Sequence, residues 1–172
     1  MKRSLLTILF ISLALAVNSN AALEQGENEV AFSFSWENIN ADNSDDITTT
    51  TLTGSILNSV TNEIQLGIFG AGTWTDDYDL FKIGAKGAYN FNPSDQYIPY
   101  VGAQIAYSDL NADAGGDGSG IMYGPLVGIK CFVTPSENVF IFGEYQYQLF
   151  SGDLSDAIDN INLIIVGLGI KF

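Results

Sequence analysis

Four oxygen-bearing side chains recur at short intervals in one stretch of this chain: Asp109, Asn111, Asp113 and Asp117. Carboxylate and amide oxygens at alternate positions are what a loop offers to a calcium ion. The pattern is incomplete, because Ala114 stands where such a loop needs a Gly for its sharp turn and Gly120 where it needs a bidentate Glu. A weak divalent-cation loop is the most this spacing supports; a solvated, self-repelling acidic loop is the simpler expectation. Bond-making chemistry is disfavoured. The chain has no His, so a Ser–His pair or a His-assisted zinc centre cannot be assembled. Asp76 and Asp77 could exchange protons, but they lie in an acidic run with no sign of a pocket. Cys131 is the single Cys; it cannot form an internal disulfide and reads as a packing residue. The expectation is a protein that is not an enzyme and needs no cofactor.

A set of strands must position these groups. Eight segments alternate apolar and polar residues with the period of two that a strand imposes. They run about Glu29–Glu37, Ile47–Leu57, Glu63–Thr75, Leu80–Phe91, Tyr97–Ser108, Ile121–Phe132, Val139–Phe150 and Ile161–Phe172. One face of each is greasy: Phe32 and Phe34 in the first, Ile64, Leu66 and Ile68 in the third, Phe81 and Ile83 in the fourth, Val101, Ile105 and Tyr107 in the fifth. Lys82, Lys86, Lys130 and Lys171 all fall on the other parity, together with Glu63 and Glu144. This predicts a charge network of Lys82, Lys86 and Lys130 with Glu144 and Glu63 inside a closed structure, since a buried charge without a partner is costly. Lys171 is expected at the rim, in solvent. Gly67, Gly84, Gly102, Gly128, Gly167 and Gly169 share the inner parity, where small residues let a narrow barrel close.

The ends of the sequence set the compartment. Lys2 and Arg3 precede an apolar run from Leu5 to Val17 and then small residues up to Ala22, which reads as a secretory signal peptide over 1–22. That leaves 23–172 as one domain. Beyond the signal, four Lys face twenty acidic residues, so nucleic acid is excluded as a partner. No apolar run approaches twenty residues, so a membrane could be crossed only by a closed barrel, which satisfies every backbone group in lipid. Three gaps between strands are short turns (Asn58–Asn62, Asn92–Gln96, Thr134–Asn138). Four are longer or more acidic (Asn38–Asp46, Asp76–Asp79, Asp109–Gly120, Ser151–Asn160). With an even strand number, both termini and the short turns face the periplasm, and the acidic gaps face outside. Aromatics fall into two belts on the greasy face: Trp36, Trp74, Phe81, Tyr107 and Tyr147 near one end, Tyr89, Phe91, Tyr97 and Phe172 near the other.

Phe172 ends the chain, with Ile170, Leu168, Val166 and Ile164 at steps of two behind it. This resembles the C-terminal strand of bacterial outer-membrane barrels, where a terminal Phe and alternate apolar residues form the assembly signal. The stretches around Tyr100–Ala103 and Gly128–Phe142 also resemble the outer-membrane β-barrel domain family, which includes the eight-stranded OmpA- and OmpX-type membrane domains. The resemblance covers the whole of 23–172 and rests on pattern. It implies an all-β, eight-stranded, antiparallel up-and-down transmembrane barrel in the bacterial outer membrane. It also implies contact with outer-membrane lipid and lipopolysaccharide, and handling by the barrel-assembly machinery through Phe172, Ile170 and Leu168. A monomer is expected. The barrel enzymes of this kind that act on lipid A rely on a His, which is missing here. The functional expectation is a structural or surface-interaction protein with acidic extracellular loops and a largely side-chain-filled lumen. The alternative is a narrow pore for small solutes or apolar molecules, for which gaps at the inward glycines would provide room. A third reading is a soluble periplasmic β-sandwich or lipocalin-like binder, which should carry polar residues outside.

Overall fold

A computed structural model describes residues 23–39, 47–75, 78–112, 118–134, 138–156 and 160–172. The signal segment 1–22 lies outside them. Eight strands follow one another: β1 (Asn28–Ile39), β2 (Ile47–Ser59), β3 (Ile64–Trp74), β4 (Tyr78–Asn90), β5 (Tyr97–Ala112), β6 (Gly118–Phe132), β7 (Val139–Gly152) and β8 (Asn160–Lys171). Each pairs antiparallel with the next, and β8 returns to β1, so the sheet closes in sequence order. Closure leaves no free edge along most of its length and lets backbone groups find partners without water.

The alternating pattern creates this shape. On β8, Ile164, Val166, Leu168 and Ile170 point out and are 45–75 % exposed, while Leu163, Ile165 and Lys171 point in and are buried. The same split runs around the wall, with Phe32, Ile56, Ile68, Ile83, Ile105 and Val127 all outside. An exposed apolar band of this extent belongs against hydrocarbon, and it overturns the soluble-binder reading. Rings flank the band. Trp74, Phe81, Tyr107 and Tyr123 are exposed at one level; Tyr89, Phe91, Tyr97 and Phe172 at the other. Tyr147 is half-buried, and the Trp36 side chain lies outside the described residues.

The two ends differ. At the terminal end the turns are tight, and Asn92 takes a left-handed φ of 51° that Asn tolerates well. Leu23 tucks under the barrel: its N–H donates to the Pro93 carbonyl, and its side chain packs with Ala31, Ile98, Phe132, Phe140 and Phe142. Asn28 and Phe172 exchange backbone hydrogen bonds of 2.8 and 2.9 Å. At the loop end, β7 breaks at Gly152 (φ 76°) into a 3-10 turn, Asp153–Asp156. This turn lies within the expected gap Ser151–Asn160, and it drops Leu154 into the barrel mouth on Phe69, Leu80, Leu110, Met122 and Phe150. β4, β5 and β6 also reach further than the alternation alone predicts. The expected gap Asp109–Gly120 therefore begins inside β5 and ends inside β6.

Candidate functional site

Among the described residues, polar and charged side chains converge in the interior. β7 supplies its spine. Glu144, Gln146 and Gln148 are alternate residues on one strand, so they stack along the inner face. Gln148 Nε2 donates to Gln146 Oε1 at 2.6 Å, and Gln146 Nε2 donates to Glu144 Oε1 at 2.6 Å. Gln104 of β5 donates to Gln146 at 2.9 Å. Each end of this row meets a lysine from β4. Lys86 Nζ lies 2.6 Å from Glu144 Oε2, which also accepts from Tyr100 Oη at 2.8 Å. Lys82 Nζ donates to Gln148 Oε1 at 2.7 Å.

A second cluster sits nearer the termini. Lys130 Nζ reaches both oxygens of Glu29, at 2.9 and 2.7 Å, and Gln65 Oε1 at 2.6 Å. Asn90 donates to the same Gln65 oxygen, and Gln65 donates to Ser59. The ammonium of Lys130 lies over the rings of Tyr100 and Phe140, at 5.5 and 5.4 Å from their centroids. A cavity of about 20 Å³ adjoins Glu29, Lys86, Lys130 and Tyr100, room for roughly one water molecule.

The sequence expectations fare unevenly against this geometry. Of the expected network, Lys86 alone contacts Glu144; Lys82 and Lys130 are buried inside the barrel with other partners. Glu63 is not among them. It precedes the first residue of β3, and its carboxylate accepts from Thr61 within the turn; parity was extrapolated one residue past the strand. Glu29, which reading from the sequence missed, takes the place assigned to it. The signal was present: Glu29 shares the parity of Ala31 and Ser33. Lys82 has an amide oxygen in place of the expected carboxylate. Lys171 is buried, not solvated, and lies 3.2 Å from Glu27. The inward glycines leave no gaps. Gly128, Gly167 and Gly169 stand opposite Tyr100, Phe142 and Phe140 in the register, and a Cβ at any of them would run into that ring. They are the seats of inward aromatics.

The cation loop fares worst. Asp109 and Asn111 belong to β5 and point outward, while Asp113 and Asp117 lie outside the described residues. Among the described residues, no cluster of three or more acidic or Cys side chains could hold a metal ion. The assembly-signal residues Phe172, Ile170 and Leu168 all face outward and are 55–69 % exposed.

A closed eight-stranded antiparallel up-and-down barrel with an apolar outer wall is a fold of the bacterial outer-membrane barrels. No protein-family model and no curated protein matches the chain. Among solved structures it is similar to the N-terminal β-barrel domain of Pseudomonas aeruginosa OprF, at 19 % identity and a TM-score of 0.63, over 86 % of this chain and 98 % of that one. It is also similar to Neisserial surface protein A, at 20 % identity and a TM-score of 0.60, over 86 % and 96 %. A third likeness is to the Yersinia pestis outer membrane protein Ail in a phospholipid bilayer nanodisc, at 14 % identity and a TM-score of 0.54, over 86 % and 100 %.

Proposed function

We propose that this protein is a non-enzymatic outer-membrane barrel that holds acidic loops at the cell surface on a wall closed to axial flow. The observation that carries the reading is the filling of the interior. An apolar cluster toward the termini (Leu23, Ala31, Ile98, Phe132, Phe140, Phe142) and another toward the loops (Phe69, Leu80, Leu110, Met122, Phe150, Leu154) bracket the hydrogen-bonded polar row. An ion moving along the axis would have to displace both. Against the pore alternative, the rings of Tyr100, Phe140 and Phe142 fill the space at three of the six inward glycines that it needed as gaps. Surface attachment is a role that fits a filled barrel carrying loops at its outer end. Lipid and lipopolysaccharide would surround its apolar band, and the Phe172 strand would serve the assembly machinery.

Planar-bilayer conductance of the refolded protein tests this, with a heat-dependent gel shift as the folding control. A folded but silent barrel is expected. Reproducible single-channel steps would overturn the closed reading and make Lys82, Lys86 and Glu144 the residues to alter for selectivity.

A further inference from the structure

The terminal mouth of the barrel is covered by a segment that belongs to no strand. Glu24–Glu27 form a β-turn ahead of β1. The Glu27 N–H donates to the Glu24 carbonyl at 3.2 Å, and Gly26, the third residue of the turn, has a φ of 92°. That left-handed value suits Gly and strains any residue with a Cβ. The turn sends the chain back over the opening. Three backbone donors then hold it to different parts of the rim. Gly26 N–H donates to the Ser59 carbonyl at the end of β2, at 2.7 Å. Gln25 N–H donates to Asn62 Oδ1 in the turn between β2 and β3, at 3.0 Å. Leu23 N–H donates to the Pro93 carbonyl in the turn between β4 and β5, at 2.9 Å. β5 stands half-way round the closed ring from β1.

The base of this segment is fixed differently from its tip. At the base, Glu27 accepts from the Ser59 N–H at 2.8 Å through its carbonyl and pairs with Lys171 of β8 through its carboxylate. At the tip, the Leu23 side chain is 2 % exposed and lies with Ala31, Ile98, Phe132, Phe140 and Phe142. Each strand of the wall has a ladder on either side; the tip has one apolar side chain and a few hydrogen bonds. Directly within lies the most polar part of the interior. Ile98 stands opposite Lys130 in the register, and Lys130 holds Glu29 and Gln65. Asn90 donates to the same Gln65, and its own Oδ1 is buried without a hydrogen-bond partner.

We propose that Leu23–Gln25 is a lid on the terminal mouth, hinged at Gly26 and swinging on the base that Glu27 fixes. Closed, it keeps water on that side away from the Lys130–Glu29 pair and from Asn90. Lifted, it opens a blind vestibule down to that pair, while the strand ladders and the loop-end cluster of Phe69, Leu80, Met122 and Phe150 stay as they are. The lid rests on the closed reading and deepens it, because it names the element that shuts one end.

Two buried positions serve as reporters, each as a single Cys in a Cys131→Ala background: Ile98→Cys beneath the lid and Met122→Cys in the loop-end cluster, both sites being 0 % exposed. The probe is a charged maleimide, added to the refolded protein in non-ionic micelles. Both thiols should react slowly while the lid is intact, as buried thiols do. Leu23→Asn or Gly26→Val should speed Ile98→Cys by about tenfold or more and leave Met122→Cys as slow as before, since reactivity follows the population of the locally open form. Heat-dependent migration confirms that each variant is folded. Gly26→Val carries the test should Leu23→Asn fail to fold, because its Cβ meets nothing within 4 Å and only the hinge is strained. Fast reaction of Ile98→Cys with the lid intact, no acceleration in the lid variants, or equal acceleration at both positions would each overturn the proposal. A conducting barrel that still protects Ile98→Cys only with the lid intact would fail the closed reading and leave the lid standing; a silent barrel with an indifferent Ile98→Cys would do the reverse.

Discussion

Near the termini, Lys130 has Glu29 on both carboxylate oxygens, Lys171 has Glu27, and β1 is laddered to β8. Near the loops, Lys82 has the Gln148 amide oxygen and the Phe150 ring, and the β1–β8 ladder among the described residues ends at Phe34–Val166. The inner half thus satisfies its charges from within its own chain. Among the described residues, the outer half holds a lysine without a carboxylate and two buried hydroxyls without partners, where the inner half leaves only Asn90 Oδ1. One fold tolerates both because the halves share β7: the Glu144–Gln146–Gln148 row transmits polarity from the paired region to the unpaired one without needing a further charge. Charge compensation is divided along the barrel axis.

The contrast is sharpest for two lysines. Glu29→Ala strands Lys130 in a dry site and should cost about 3–5 kcal/mol, read by urea unfolding followed through Trp fluorescence. Lys82→Met removes a buried ammonium that has no carboxylate, and should be neutral or slightly stabilising in the same titration. Comparable losses from both would abolish the distinction between the halves. The outer wall serves both regions equally, so Ile68→Arg and Ile105→Arg should each cost about 2–4 kcal/mol near the midplane; tolerance at both would argue against a lipid-facing wall. Gly169→Val drives a side chain into the Phe140 ring of the terminal-end cluster, an overpacking cost of about 1–3 kcal/mol. Gly143, with nothing within 4 Å of an added Cβ, is the control, and a Val there should show no such loss. The smallest effect belongs to Glu63→Gln, within about 0.5 kcal/mol. A larger loss would return Glu63 to the interior network from which its turn position removes it.

Most of the wall was legible in the sequence, because lipid on one side and a narrow interior on the other impose parity on every strand. Ile164, Val166, Leu168 and Ile170 announce an outward face with no help from tertiary contacts. Parity says which side a residue is on, but not whom it meets across the interior. Lys82 and Glu144 were rightly placed inside, yet the partner of Lys82 is Gln148, because β4 and β7 face each other with a set stagger that no local pattern encodes. Glu29 lies at the start of β1 and Glu63 just before β3, where parity has no neighbouring strand residue on one side to confirm it. Single-residue boundaries decide such cases. The 3-10 turn went unseen because its acidic neighbours suggested a solvated loop; Leu154, apolar among Asp153, Ser155 and Asp156, was its only mark. The inward rings of Phe140 and Phe142 are readable from the parity of Glu144; the small size of the inward glycines reads as closure of the barrel, but parity does not pair each glycine with its ring.

Those rings and glycines are linked in inheritance as well as in space. Phe140 with Gly169, Phe142 with Gly167, and Tyr100 with Gly128 are each two codons far apart in the gene that specify one volume. A change at either codon is felt at the other. Drift at these sites should therefore proceed by exchange: a smaller residue first at the ring position, then a side chain at the glycine. Such an exchange would move the aromatic filling from one strand to the next without touching the outward residues.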